Sequence, residues 1–298
     1  MTLTALNILF IGSLGKQSLI TLNGLLQSAH TVSAVAVAGS TLGLGNTPTS
    51  RRRFIPAINA GTTQSILDIA VERGIPIEIL EPGVTPDQLH SHTPDLGIVS
   101  CYPHRLQDDL RLLPSFGCFN LHPSLLPKYR GPDPLFWQLW HGETHTGVTL
   151  HRVESRLVAG DIICQERLAI ADGISEAELN RLCAMRGSAL IDNALGQLQQ
   201  GRLVARPQND QLASYQGWPT QQDFHVSTEW PVRRISNFIQ GTRQRGQPYQ
   251  LRIGARRFSI DSLADSSSER MPDKAYAMEG NYLRFNCYDG CVKVVLAS

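Results

Sequence analysis

An asparagine and a histidine, Asn120 and His122, stand two residues apart at the end of a short apolar segment. An Asn amide donates hydrogen bonds and a His imidazole moves protons, so the pair could polarise a carbonyl group, as in an acyl transfer. If the segment is a strand, the two-residue spacing places both side chains on one face. Pro and Gly punctuate the next residues, up to Gly131. They predict a loop at a strand end, where active sites are commonly built.

Short apolar runs alternate with amphipathic ones over the first two thirds of the chain, and this pattern predicts an α/β fold with a parallel sheet and helices on both faces. The predicted strands cover residues 6–11, 31–38, 75–80, 95–101, 116–121, 146–152 and 162–170. The predicted helices cover residues 17–28, 63–73 and 175–200. In this arrangement Asn120 and His122 come at the carboxyl end of a strand.

A change of pattern near residue 205 indicates a second domain. A helix is predicted over residues 230–240, and short strands separated by turn residues follow it, which is typical of a small β-barrel or open sheet of oligonucleotide-binding type. Residues 264–273 are polar and rich in Ser, and are predicted to form a loop. We therefore expect a Rossmann-like domain over residues 1–204 and a small β-rich domain over residues 205–298.

Composition narrows the class of protein. The chain has 298 residues, 42% hydrophobic and 18% charged, with a formal net charge of +1, so electrostatics favours neither nucleic acid nor membrane as a partner. No apolar run is long enough to span a bilayer, and the first residues do not resemble a signal peptide. The six cysteines have no metal-ligand spacing, which predicts reduced thiols, a cytoplasmic protein and no metal site.

Two further motifs carry weaker signals. Gly12 and Gly15 follow the first predicted strand and could cradle a phosphate, but the third glycine and the downstream acid of a dinucleotide fingerprint are absent. A tight turn that leaves room for a substrate is the better interpretation. Three consecutive arginines, Arg51 to Arg53, lie in a long predicted loop and indicate a solvated surface more often than a phosphate contact.

The segment that contains Asn120 and His122 resembles a known signature. Residues 119–131, Phe-Asn-Leu-His-Pro-Ser-Leu-Leu-Pro-Lys-Tyr-Arg-Gly, are similar to the signature of the folate-dependent formyltransferases, a family that acts on glycinamide ribonucleotide, methionyl-tRNA or amino sugars. The likeness extends to residues 8–27, 142–152, 205–208 and 213–217. It implies the family's fold over nearly the whole chain, with 10-formyltetrahydrofolate as the formyl donor.

The resemblance also implies roles for the site residues. Asn120 would stabilise the oxyanion that forms on the formyl group, and His122 would polarise the same carbonyl and carry protons. The family adds an aspartate in an Asp-Thr-Gly or Asp-Ala-Gly turn, and here that position holds Val158, before Ala159 and Gly160. The folate contacts implied by the resemblance are Tyr102, His104, Leu106, Ser124, Gly131, Leu157 and Val158.

Three hypotheses address the missing acid. Asp161, three residues on, could replace it; Glu154 could swing into the site; or the site could work without a third catalytic group, with slow transfer, other chemistry or binding alone. Cys101 could act as a nucleophile or acid near the donor, although a small buried hydrophobe is the more common state of a free cysteine.

Formyl transfer from 10-formyltetrahydrofolate to the amine of a small molecule, such as an amino sugar, is the favoured function. Residues 205–298 carry 12 Lys and Arg against 9 Asp and Glu, too mild a bias to favour tRNA. The alternatives are a hydrolytic, lyase-like or cyclising reaction on the same fold, and a non-catalytic protein that binds folate or a partner. The sequence does not predict the oligomeric state.

Overall fold

The computed structural model describes residues 5–42, 64–81 and 87–297. The three arginines from Arg51 to Arg53 lie outside these ranges. Within them the chain forms two compact units, each made of several segments. The first unit comprises Met1–Pro127, Val148–Glu166 and Arg181–Ala213, and the second comprises Lys128–Gly147, Arg167–Asn180 and Ser214–Ser298. A domain boundary after residue 204 stays a prediction.

A mixed sheet, mostly parallel, contributes most of its residues to the first unit. Its strands, in chain order, are β1 (Asn7–Gly12), β2 (Thr31–Ala38), β3 (Ile77–Leu80), β4 (Leu96–Ser100), β5 (Cys118–His122), β6 (His145–Arg152) and β7 (Ile162–Ala169). They lie side by side in the order β3-β2-β1-β4-β5-β6-β7, and the pairs from β3 to β5 are parallel. The predicted Rossmann-like fold is confirmed, with one correction: β6 runs antiparallel to β5, so the sheet is not parallel throughout.

The helices begin and end at residues suited to those positions. They are α1 (Lys16–Leu26), α2 (Ile66–Glu72), α3 (Gln88–Ser91), α4 (Asp108–Arg111), α5 (Pro134–His141), α6 (Glu176–Gln199) and α7 (Val232–Thr242). Ser65 and Asp68 form a capping box at the start of α2. Pro134 occupies the first turn of α5, where its missing N–H costs nothing, and Gly142 ends that helix in a left-handed conformation.

The turn between β1 and α1 is closed by a serine. Ser18 Oγ accepts a hydrogen bond from the Ser13 N–H at 3.0 Å and donates one to the Ser100 carbonyl at 2.7 Å. These contacts fasten the start of α1 to the end of β4. The turn following β1 is thus tight, as predicted, while phosphate binding at it stays a prediction.

Two apolar cores cover the two faces of this sheet, because successive residues of a strand point to opposite sides. One core contains Ile8 and Phe10 of β1 together with Phe119 and Leu121 of β5. The other contains Leu9, Ile11, Val99, Leu106 and Cys118. All these residues are buried. The face to which each residue of β5 points follows directly from this division.

The second unit is organised by a largely antiparallel sheet. Its strands are β8 (His225–Val226), β9 (Tyr249–Ile253), β10 (Arg256–Ser267), β11 (Tyr276–Glu279), β12 (Tyr282–Cys287) and β13 (Gly290–Leu296), in the order β11-β12-β13-β10-β9-β8. The rings of Phe258 and Tyr276 lie 5.4 Å apart, so the edge strand β11 curls towards the start of β10. The loop predicted over residues 264–273 is wrong at its start, because β10 pairs with β13 as far as Ser267. No helix within the described ranges has the length and apolarity needed to cross a bilayer.

Candidate active site

Strand β5 positions the two residues that the sequence singled out. Phe119 and Leu121 point into one core, and Cys118 points into the other. Asn120 and His122 alternate with Phe119 and Leu121, so they share the face of Cys118. His122 is almost fully buried and Asn120 is partly buried. Both side chains therefore belong to one face at the carboxyl end of the strand.

A second histidine holds the asparagine. Asn120 lies opposite His151 in the β5–β6 pairing, and Asn120 Nδ2 is 3.0 Å from His151 Nε2. His151 Nδ1 is 2.8 Å from the Arg152 carbonyl oxygen, which can only accept a hydrogen bond. Nδ1 therefore carries the proton, and Nε2 accepts one N–H of the Asn120 amide. The rings of His122 and His151 lie edge to face, with centroids 6.4 Å apart.

His151 was not among the residues predicted from the sequence. The sequence supplied part of the evidence, because residues 142–152, which contain His151, resemble a strand of the formyltransferase family. Its partner depends on the register between β5 and β6, which joins residues 31 positions apart. Strand alternation alone does not specify a cross-strand partner.

The segment that follows β6 leaves the sheet and returns to it within nine residues. The Arg152 N–H donates to the Asp161 carbonyl at 2.9 Å, and a Cβ added at Gly160 would overlap the Arg152 carbonyl oxygen. Gln208 Nε2 donates to the carbonyls of Val158, at 3.1 Å, and Gly160, at 2.7 Å. We call residues 158–160 the valine turn. It packs against the carbonyl that orients His151.

Val158 has a φ of +52°, in the left-handed region that β-branched residues rarely adopt. The side chain is partly buried. The turn therefore keeps a conformation that does not suit its first residue. Strain of this kind persists only where the surrounding contacts impose it, and it is most frequent at functional sites.

The two acids nearest to the valine turn in sequence do not engage the predicted catalytic pair. Among described residues, the Asp161 carboxylate makes no hydrogen bond or ion pair. Glu154 is exposed and likewise makes no hydrogen bond or ion pair within that part of the chain. A catalytic role for Asp161 stays a prediction.

The segment that follows β4 contains three of the predicted folate contacts. Leu106 is buried in the core that contains Cys118, and Tyr102 and Val153 pack against the same core. Burial, together with the nearby Glu81 carboxylate, raises the pKa of Tyr102 to about 12. Leu106 and Tyr102 therefore lie on the face of the sheet to which Asn120 and His122 point.

His104 and Cys101 lie nearer the solvent. His104 Nε2 is hydrogen-bonded to Ser40 Oγ at 2.8 Å, beyond the end of β2. Cys101 is exposed and has a φ of +54°, so the expectation of a small buried hydrophobe is wrong. The residue follows the last residue of β4 directly, where the chain turns away from the sheet.

The remaining predicted contacts are dispersed. The buried Ser124 accepts a hydrogen bond from Thr149 Oγ1 at its carbonyl, at 2.6 Å, and Leu157 is exposed. Gly131 belongs to the second unit and has a φ of +128°; an added Cβ would overlap the Gln216 carbonyl oxygen. That contact alone requires glycine there, so folate binding by Gly131 stays a prediction.

A cleft of about 390 Å³ opens beside the amino end of β5. It is lined by Arg111, Leu112, Ser115, Phe116, Gly117, Cys118, Arg152, Val153 and Glu154. Cys118 links it to the predicted site, because this residue lies on the same face as Asn120 and about 7 Å from it along the strand. The described residues contain no group of three or more His, Cys, Asp or Glu side chains that could hold a metal ion.

Comparison with known proteins identifies relatives of this chain. The family model described as formyl transferase matches residues 7–195, more than half of the chain. A methionyl-tRNA formyltransferase from Caldanaerobacter subterraneus subsp. tengcongensis is 29% identical over 184 residues. That match covers 60% of this chain and 59% of the relative, so it spans less than two thirds of the relative's length.

Two solved structures share the fold over nearly all of the chain. One is an N-formyltransferase from Helicobacter canadensis in complex with folinic acid and dTDP-3-aminofucose, with a TM-score of 0.66, 17% identity and coverage of 98% of this chain and 99% of the other. The second is WlaRD, a sugar 3N-formyl transferase in the presence of dTDP and 5-N-formyl-THF, with a TM-score of 0.66, 18% identity and coverage of 98% and 97%. On the match to its family model, the chain belongs to the formyl transferase family.

Proposed function

We propose that the protein transfers a formyl group from 10-formyltetrahydrofolate to the amine of a small molecule. The observation that carries this proposal is the arrangement on β5, where Asn120 is held by His151 and shares a buried face with His122. Family membership supports the reaction class. On this proposal the catalytic residues belong to the predicted domain of residues 1–204.

Asn120 supplies the electrostatic part of the catalysis. One N–H of its amide is donated to His151, which leaves the second N–H for a carbonyl oxygen that becomes negative. The hydrogen bond to His151 fixes the amide before the reaction, so it need not reorganise as charge develops. A preorganised donor of this kind is worth about 10²–10³ in rate.

His122 supplies the proton transfer. The acceptor nitrogen must lose a proton as its bond to the formyl carbon forms, and the donor nitrogen must gain one as its bond to that carbon breaks. An imidazole can do both in turn. The burial of His122 keeps bulk water from competing for the proton.

The cleft beside β5 is the site we assign to the ring system of the donor. Its volume of about 390 Å³ is in the range of small-molecule sites, and Phe116, Cys118 and Val153 give it an apolar wall next to polar groups. The two solved relatives were crystallised with formylated folates. These facts support a folate donor, although none of the seven folate contacts implied by the sequence resemblance lines this cleft.

The acceptor we favour is a small molecule. The solved relatives with full coverage include a sugar 3N-formyl transferase, and the C-terminal segment has only a slight excess of positive charge. The methionyl-tRNA formyltransferase relative matches over 60% of the chain. Its substrate, tRNA, is therefore the alternative acceptor against which a small-molecule amine should be tested.

Donor binding tests the proposal directly. Leu112 lines the cleft but is 63% exposed, so Leu112→Trp should narrow the cleft without disturbing the core. We expect titration calorimetry to show binding of 5-formyltetrahydrofolate, and Leu112→Trp to raise its Kd at least about tenfold, equivalent to roughly 1.4 kcal/mol. The matched control is Val71→Trp, on the exposed side of α2, which should leave the Kd unchanged. Absence of folate binding at millimolar concentration would refute the donor assignment.

A further inference from the structure

The loop that leaves β5 is fastened by the hydroxyl of one threonine. Thr149 lies directly opposite His122 in the β5–β6 pairing and is fully buried. Its Oγ1 donates to the Ser124 carbonyl at 2.6 Å and accepts from Gln165 Nε2 at 2.8 Å and from the Leu126 N–H at 3.3 Å. A hydroxyl has one proton and two lone pairs, so these three bonds use its full capacity. The hydroxyl therefore ties the loop to β6.

One glutamine determines the direction of these bonds. Gln165 Oε1 accepts from the Arg206 guanidinium at 2.9 Å, and Gln165 Nε2 donates to the Leu126 carbonyl at 2.8 Å. A guanidinium can only donate and a carbonyl can only accept, so the amide has one orientation. Its NH2 group therefore faces the Thr149 hydroxyl, whose own proton points to the Ser124 carbonyl.

The fastened loop begins at His122 itself. The Ser124 N–H donates to the His122 carbonyl at 2.9 Å, so the two residues close a tight turn at the end of β5. The carbonyl of the same serine accepts from Thr149, and the serine is fully buried. A buried carbonyl without a donor carries its full desolvation cost, so the turn would move to another donor if the hydroxyl were removed.

We propose that Thr149 and Gln165 are positioning residues for His122. They fix the turn that follows His122, and through it the imidazole, in the geometry needed for proton transfer. The proposal rests on the proposed function, in which His122 carries the proton from the acceptor nitrogen to the donor nitrogen. The effect of the two residues should therefore fall on kcat and should reach the reaction only through His122.

Substitutions that nearly preserve the size of each side chain test this assignment. Thr149→Val replaces the hydroxyl by a methyl group on the same β-branched shape, whereas Thr149→Ser retains the hydroxyl. Gln165→Glu keeps an oxygen for Arg206 but removes the N–H groups that donate to the loop and to β6. Thr146→Val is the matched control, because Thr146 is buried on the same strand and its hydroxyl faces the Gly147 carbonyl at 3.5 Å.

Steady-state kinetics give the first readout. The full chain is assayed for tetrahydrofolate release from 10-formyltetrahydrofolate, with dTDP-3-aminofucose, the compound in one solved relative, as the acceptor. We expect Thr149→Val and Gln165→Glu each to lower kcat about tenfold or more, with the KM for the donor within about threefold. Thr149→Ser and Thr146→Val should keep kcat within about threefold. In a His122→Ala background, Thr149→Val should have no further effect on kcat.

A second readout does not depend on the acceptor. In protein with isotope-labelled histidine, the NMR signal of the His122 ring is identified by its loss in His122→Ala. We expect Thr149→Val and Gln165→Glu to shift or broaden this signal, because the turn no longer holds the imidazole in one position. Thr149→Ser and Thr146→Val should leave the signal in place. Thermal unfolding checks that each variant is folded, and Gln165→Glu carries the test if Thr149→Val is not.

The outcomes separate this proposal from the proposed function. A loss of kcat as large in Thr149→Ser as in Thr149→Val would overturn the positioning role, and so would a loss confined to KM. Losses that multiply in the double variant with His122→Ala, or an unchanged His122 signal in the folded variants, would overturn it as well. Absence of turnover by the natural chain would instead count against the proposed function, and the His122 signal would then decide the positioning role alone.

Discussion

At the scale of single residues, the site depends on a chain of hydrogen bonds that runs from the Arg152 carbonyl through His151 to Asn120. In a neutral imidazole, His151 Nδ1 donates to the Arg152 carbonyl, so Nε2 accepts from Asn120. This assigns the tautomer of His151 and the orientation of the Asn120 amide together. An asparagine free to rotate would present its oxygen as readily as its N–H.

The first prediction concerns Asn120 and His122. We expect Asn120→Ala and His122→Ala each to lower kcat/KM by about 10²-fold or more, because each removes a group that acts in the transition state. The Kd for 5-formyltetrahydrofolate, measured by calorimetry, should stay within about threefold. Full turnover in either folded variant would remove that residue from the catalytic assignment.

His151 gives a second prediction. We expect His151→Phe to lower kcat about tenfold or more, because it leaves the Asn120 amide without its acceptor and free to rotate. The double variant with Asn120→Ala should be little worse than Asn120→Ala alone, since the two residues act as one unit. Losses that multiply in the double variant would show that His151 acts independently of Asn120.

At the scale of elements, the valine turn is held by contacts from outside itself. Gln208 caps two of its carbonyls, and Gly160 packs without a side chain against the end of β6. These contacts impose the positive φ of Val158. A strained residue of this kind typically costs on the order of 1–3 kcal/mol of folding free energy.

Because Val158 has a strained backbone, its substitution by glycine should not lower the thermal stability of the protein. Val158→Gly should leave the thermal midpoint unchanged or raise it, because relief of the positive φ offsets the flexibility that glycine adds to the unfolded chain. The control is Val153→Gly at the start of the same segment, where the side chain packs on the core. It should lower the free energy of unfolding by roughly 1–3 kcal/mol. A similar loss at both positions would show that Val158 is not strained.

At the scale of the whole molecule, an ion cluster joins distant segments of the second unit. Arg245 pairs with Asp133 at 2.8 Å and with Glu176, and its guanidinium lies 5.0 Å from the Phe136 ring centre. Asp133 is 9% exposed, so Arg245 is the partner of a largely buried carboxylate. Burial raises the pKa of Glu176, against the hydrogen bond from Arg245, which lowers it. Three segments far apart in sequence therefore meet at one guanidinium.

Removal of that guanidinium should be costly, although it lies outside the proposed catalytic residues. We expect Arg245→Ala to lower the free energy of unfolding by about 3–5 kcal/mol, because it leaves one buried and one partly buried carboxylate without this partner. Arg243→Ala is the control. Its nearest carboxylate, on Asp261, is 3.9 Å away, and both side chains are exposed, so the change should stay within about 1 kcal/mol. Equal effects in a denaturant titration would contradict the role given to the cluster.

The sequence by itself determined the alternation of strands and helices, the shared face of Asn120 and His122, and the family. These properties are local, because the period of a strand and a contiguous signature are both visible without knowledge of what pairs with what.

Only the tertiary structure decided the partners. The pairing of Asn120 with His151, the antiparallel direction of β6, and the exposure of Cys101 follow from contacts between segments far apart in the chain. The extension of β10 into the predicted loop has the same origin, because β13 supplies hydrogen bonds that the polar sequence of residues 264–267 does not reveal. Register and direction are set by cross-strand pairing and by the cores on the two faces, and a pattern read along a single segment does not encode them.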